Sequence, residues 1–168
     1  MVTGEQVTRA VDFRSFFADE QGPLLRYCWG LTLDRESASD VAQEAMARAW
    51  AEWERFDSDD HARAWLRTVA LNLVRSRWRR DRTAASTTLA PVATGGAAEP
   101  VDPDLVAALR SLPERQREAV VLHHLGDLSV ADCAEVMGAS VPTVKSHLQR
   151  GRARLAELLG VDDAEVPR

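Results

Sequence analysis

The stretch LSVADCAEVMGASVPTVKSHLQRGRARL spans Leu128 to Leu155 and reads as two helices joined by a tight turn. The first carries Val130, Cys133, Ala134 and Met137 at helical spacing. Gly138 follows, a residue that takes a left-handed turn without Cβ strain. Ser140 is a good N-cap, and Pro142 lies in the first turn, where a missing N–H costs little. Stepping 100° per residue from Val144 brings Leu148, Gly151 and Leu155 within about 40° of it, a buried seam of period 3.6. Pro142, Thr143, Ser146, Gln149, Arg150 and Ala153 fall on the opposite face, flanked by Lys145, His147, Arg152 and Arg154. Short hydrogen-bonding side chains rimmed by cations suit a helix lying in a DNA major groove, where they read base edges while the rim binds phosphate. The expectation is a helix-turn-helix; a solvated amphipathic helix pair is the plainer reading of the same pattern.

The chain has 168 residues, 45% hydrophobic and 28% charged, which suits one domain or two small ones. No apolar run approaches a membrane span, and the N-terminal residues lack a signal peptide's apolar core, so a cytoplasmic location is expected. Cys28 and Cys133 read as small core residues. His123 and His124 are adjacent and lack a partner at metal-ligand spacing, so neither a metal nor another cofactor is expected. The formal net charge is −5, but its distribution matters more. Seven arginines between Arg63 and Arg82 face a single acid, Asp81, and four cations lie between Lys145 and Arg154 with no acid. Two basic patches on an acidic chain suggest two nucleic-acid contacts and other surfaces for a different partner.

Along the chain, Val11 to Leu31 form a first helical pattern, and Gly22-Pro23 predicts a break in it. A second helix runs from Asp34–Ser37 to about Phe56, with Val41, Ala42, Ala45, Ala49, Trp53 and Phe56 on its apolar face. Asp40, Gln43, Glu44 and Ala47 share the opposite face, either a solubilising surface or a dock for a basic partner helix. Asp57-Ser58-Asp59-Asp60 forms a turn that caps a third helix, Ala62 to about Arg80. Its expected buried stripe is Ala62, Trp65, Leu66, Val69 and Leu73. Arg67, Leu71, Arg75, Trp78 and Arg79 are expected outside, where an indole among arginines can stack on a base; packing of Trp78 against another helix is the alternative. Residues 81–101, rich in Ala, Thr, Gly and Pro, read as a flexible linker. Beyond it, Leu105, Val106, Leu109 and Leu112 mark a short helix, and Pro113 opens another that ends at Gly126. No phosphate loop, ligand cluster or nucleophile elbow occurs, so nothing suggests an enzyme. The expected fold is all-α: a domain over 1–80, the linker 81–101, a helix-turn-helix domain over 102–160, and a tail, 161–168.

The two units together resemble a bacterial RNA polymerase sigma factor of the extracytoplasmic-function type, most like the actinobacterial sigma-E family. Asp40-Val41-Ala42-Gln43-Glu44 followed by Ala49-Trp50 resembles the family's second conserved region. The resemblance implies that Asp40, Gln43 and Glu44 bind the clamp helices of the polymerase β′ subunit. Trp65-Leu66-Arg67, Ala70 with Asn72, and Arg77-Trp78-Arg79-Arg80 resemble the helix that engages the minus-ten element, after a loop that captures a flipped base. It thereby implies minus-ten roles for Asp57, Ser58, His61, Arg67, Asn72, Arg75, Trp78 and Arg79. Leu112-Pro113, Arg115-Gln116-Arg117 and the 128–155 stretch resemble the fourth region, which reads the minus-thirty-five duplex and rests on the polymerase β flap. The residues implied there are Pro142, Thr143, Lys145, Ser146, His147, Gln149 and Arg150. Ser76 and Cys133 depart from the family's usual Asp and aliphatic residue.

What the resemblance implies is promoter-specific initiation with core RNA polymerase, with promoter DNA and, for some relatives, an anti-sigma factor as further partners, and no membrane. Two other readings fit parts of the pattern. One is a one-component helix-turn-helix regulator whose first unit senses or dimerises. The other is a polymerase-binding adaptor that never touches DNA.

Overall fold

The computed structural model describes residues 3–84 and 102–160, with side chains over 13–80 and 102–160. Regular structure among these residues is helical. In chain order it comprises α1 (Thr3–Thr32), α2 (Arg35–Ala51), a 3-10 turn (Trp53–Arg55), α3 (Asp59–Ala84), α4 (Pro103–Ser111), α5 (Glu114–His124), α6 (Val130–Met137) and α7 (Val141–Leu159). The residues read as linker beyond 84, and those read as tail, lie outside the described residues.

Helices α1 to α3 form one bundle. Phe16, Leu24, Tyr27 and Leu31 of α1 are buried against Val41, Ala45 and Ala49 of α2 and Leu66, Ala70 and Val74 of α3. Asp34 caps α2 by accepting from the Ser37 amide at 2.8 Å. The apolar face expected of the second helix is buried throughout, although the α-helix stops at Ala51 and the 3-10 turn carries the last two members inward.

Helix α1 does not break at Gly22-Pro23; Pro23 sits inside a continuous 30-residue helix. A proline costs an interior helix about 3 kcal/mol. Burial of Phe16 on one side and of Leu24, Tyr27 and Leu31 on the other offsets that, at about 1.5–3 kcal/mol for each large side chain. Tertiary packing thus overrides the local rule.

The stripe expected on α3 is also shifted. Ala62 and Leu66 are buried as read, but Leu71 and Arg67, expected outside, are buried too, while Trp65, Val69 and Leu73 stay partly exposed. The physical reason is that α3 packs on α1 and α2 and also meets the second bundle, so no single face describes it.

In that second bundle the local signals hold. Asp102 caps α4, with Pro103 in the first turn. Ser129 and Asp132 form a reciprocal capping box on α6, and Gly138 ends it with φ 61°. Ser140 caps α7, accepting from the Thr143 amide at 3.3 Å. Val144, Leu148 and Gly151 are buried and Leu155 is partly so. A Cβ on Gly151 would lie 2.8 Å from a Val120 methyl, so glycine sets how closely α7 approaches α5. Cys28 and Cys133 are both unpaired and buried, and burial pushes their thiols up to about 12 and about 11.

Replacing Gly151 with Leu should overpack this crossing and cost about 1–3 kcal/mol. A urea melt checks it, and an unshifted midpoint would contradict the close α5–α7 approach.

Candidate polymerase and promoter interfaces

The exposed face of α2 is as read. Val41, Ala45 and Ala49 point into the core, which leaves Asp40, Gln43, Glu44 and Ala47 outward. Their polar groups are lightly tethered within the surface. Glu44 pairs with Arg48 at 2.8 Å, the Gln43 amide donates to the Ser39 hydroxyl at 3.2 Å, and Asp40 lies 3.6 Å from Arg77. Trp50, two turns beyond Gln43, is 54% exposed and packs with its ring tilted against Phe13, 4.6 Å between centroids, beside the exposed Phe17. The sequence reading left it out of the site. Its i, i+7 relation to Gln43 was the available signal, and an exposed indole beside a polar face is a usual anchor of protein interfaces.

Between α2 and α3, the Asp57–His61 turn presents a carboxylate, a hydroxyl and an imidazole to solvent. The His61 amide donates to Ser58 Oγ at 3.2 Å, and the His61 ring lies 2.8 Å from the Asp57 carboxylate, which it holds below the usual carboxylate range. Under them lies an aromatic floor, with Phe56 edge-on to both His61 and Trp65. Such an arrangement offers donors, acceptors and a ring to an unstacked base.

On α3 the expected residues divide. Asn72 and Arg79 are exposed. Arg67 is not: at 3% exposure its Nη2 donates to Glu20 at 3.0 Å and its guanidinium covers the Tyr27 ring at 5.4 Å. Glu20 also accepts from Arg63 at 2.6 Å, and the Tyr27 hydroxyl donates to the Arg67 carbonyl at 3.1 Å. This buried cluster ties α1 to α3, so Arg67 is a structural residue in this arrangement rather than a DNA-facing one. Arg75 makes two hydrogen bonds to Glu118 of α5, at 2.8 and 2.9 Å, and Trp78, partly buried, lies under the Arg117 guanidinium. Packing against another helix, the alternative noted for Trp78, is what occurs. Glu118 was missed, although its spacing to Val121, Leu122 and Leu125 places an acid within an apolar stripe, a recognisable sign of a buried partner.

The third surface is the outward face of α7. Pro142, Thr143, Lys145, Gln149 and Arg150 are exposed, and Ser146 and His147 partly so. All seven residues lie on one 19-residue helix whose other face is fixed by Val144 and Leu148. Groups held this rigidly, on a helix packed across α6, have the geometry of a recognition helix.

Comparison with known proteins shows the family. The sigma-70 region 2 family matches residues 16–84, and the sigma-70 region 4 family matches residues 104–155. These two regions in this order define a sigma-70-type transcription factor. Among relatives, the ECF RNA polymerase sigma factor EcfG of Rhodopseudomonas palustris is 34% identical over 85% of this chain and 83% of its own length. The RNA polymerase sigma-E factor of Streptomyces coelicolor is 33% identical over 93% and 90%. The sigma factor RpoE of Bartonella quintana, solved in complex with the anti-sigma factor NepR, superposes with a TM-score of 0.76 at 29% identity, covering 90% of this chain and 98% of that one. CnrH, solved with the cytosolic domain of CnrY, gives 0.63 at 26% identity over 97% and 92%. The chain belongs to the extracytoplasmic-function family of RNA polymerase sigma factors.

Because Arg67 and Glu20 are buried together, Arg67→Ala should destabilise the protein by about 1–3 kcal/mol, leaving Glu20 with Arg63 as its one guanidinium partner. Thermal melting measures this. Full stability with a selective defect at the minus-ten element would instead return Arg67 to the DNA-facing set.

Proposed function

We propose that this sigma factor engages core RNA polymerase through the α2 face centred on Asp40, Gln43 and Glu44, with Trp50 as its apolar anchor, and reads promoters at two places. The outward face of α7 reads the minus-thirty-five duplex in the major groove. The Asp57–His61 turn captures a flipped base, and Asn72, Arg75, Trp78 and Arg79 of α3 hold the melted minus-ten strand. The second unit rests on the polymerase β flap. The observation that carries this reading is the conjunction of region 2 and region 4 in one chain with an exposed polar face on α7.

The chemistry follows from those groups. Hydroxyl, amide and guanidinium side chains distinguish base pairs in the major groove. Flipping a base costs a few kcal/mol, which stacking and phosphate contacts in the first unit offset. Tethering two weak contacts on one chain raises the local concentration of the second to roughly millimolar. The protein acts as an initiation factor that directs a catalyst and is not itself one, in the cytoplasm where the polymerase works. No described helix is long and apolar enough to cross a membrane. An anti-sigma factor is a further partner of this reading, since the Bartonella quintana relative was captured with one.

Run-off transcription with purified core polymerase and a promoter library tests the whole reading; absence of added site-selective initiation would refute it. Two variants test its parts. Arg150→Ala should reduce discrimination between matched and scrambled minus-thirty-five sequences by about 1–3 kcal/mol, whereas equal loss on both would make it a phosphate contact. Asp40→Lys should weaken binding to core polymerase with little change in melting temperature, because the exposed Asp40–Arg77 pair contributes little to stability. Unchanged core affinity would remove this face from the interface.

A further inference from the structure

The residues assigned to the α7 surface are polar or proline, yet the first turn of that helix is aliphatic. Val141, its first residue, is a large apolar side chain left 38% exposed. Packing at this end is done by its neighbours. Ala139 lies against the main core and Val144 is wholly buried in it. Val141 takes no part in either apolar core of the described residues. A valine gives a helix start neither propensity nor a cap, so its apolar surface is available to something outside the chain.

The groups beside it are equally short of polar function. Pro142, exposed next to it, has no N–H to offer. The Thr143 amide donates to Ser140 Oγ at 3.3 Å, and the Val144 amide to the Ser140 carbonyl at 3.0 Å. Amides that could hold a phosphate at a helix start are therefore missing or committed at 142, 143 and 144. The Thr143 hydroxyl is also turned back on the cap, 2.7 Å from Ser140 Oγ, which leaves the methyl as the uncommitted end of this exposed side chain.

In the major groove one base carries an apolar group on its edge: thymine, through its C5 methyl. The N-terminal residues of a recognition helix are those that reach base edges. We infer that the first turn of α7 is a methyl reader: Val141, with Pro142 and the Thr143 methyl beside it, closes on the C5 methyl of a thymine and selects a T·A pair within the minus-thirty-five element. The inference rests on the α7 assignment made above. Val141 is thereby a specificity-determining residue that the polar face of the helix does not include. Hydrogen-bonded readout falls to Ser146, Gln149 and Arg150, farther along the helix. A cytosine in place of the thymine would bury an amino donor against valine, which cannot accept from it.

The test uses holoenzyme, assembled from core polymerase and the full-length chain, on duplex promoters that it selects from a library. Each thymine of the minus-thirty-five element, on either strand, is replaced in turn by deoxyuridine. That change removes the methyl group and keeps every hydrogen-bonding group of the base edge. Competition binding should show a loss of about fourfold at one or two of the thymines, the worth of one enclosed methyl. Val141→Ala should bind the thymine and uracil forms of those duplexes equally, with an unchanged melting temperature, and Val141→Ile should keep the wild-type difference. Indifference to every uracil substitution overturns the methyl reader. So does a selected element without thymine, or a Val141→Ala protein that retains the wild-type uracil penalty. If the scan is silent while wild-type holoenzyme still prefers matched to scrambled minus-thirty-five sequences, the α7 assignment stands and the methyl reader alone fails. A holoenzyme indifferent to the minus-thirty-five sequence removes the α7 assignment, and the methyl reader with it.

Discussion

Helix α1 is required to satisfy three neighbours at once, and the arrangement of everything else follows from that constraint. Its buried side chains fill the space between α2 and α3. Its Glu20 pairs with Arg63 and Arg67 of α3, and its Tyr27 ring lies against the second of these. Its C-terminal end, through Gly30 and Leu33, receives the second bundle. Carrying all three along one axis requires a rod unbroken from Phe16 to Gly30, about 20 Å at 1.5 Å per residue, which is why the proline within it is accommodated.

With α1 fixed, the functional surfaces are what remains uncovered. The α2 face is free because α1 and α3 bury its other side. The outward face of α7 is free because α5 and α6 bury the seam through Val144, Leu148 and Gly151. Only α3 is contested, having a basic face that suits DNA and a position beside α5. The buried carboxylate of Glu118 marks where those two demands meet.

The sequence was legible wherever the determining interactions were local. The capping serines, the left-handed Gly138, the seam of α7 and the outward acids of α2 all depend on residues within a turn or two of each other, and each stands where its spacing placed it. Where burial or pairing departs from the expected face, the cause is different. Arg67 finds its partner 47 residues away and Arg75 finds its own 43 residues away, separations at which helical periodicity carries no information. The same holds for Leu71, whose burial comes from helices that the α3 pattern cannot know. Pro23 was judged by its own backbone, whereas the outcome lay in the side chains on either side. Trp50 belongs to the Ala49-Trp50 motif, but its exposure depends on which face α1 covers.

The two sulfhydryl groups lead to a last consequence. Both cysteines of the chain are sealed in apolar surroundings and held as neutral thiols at any physiological pH. Oxidants and electrophiles act on exposed thiolate, which this molecule withholds while folded. A thiol-directed reagent therefore reaches either sulfur only when the helices packed around it part.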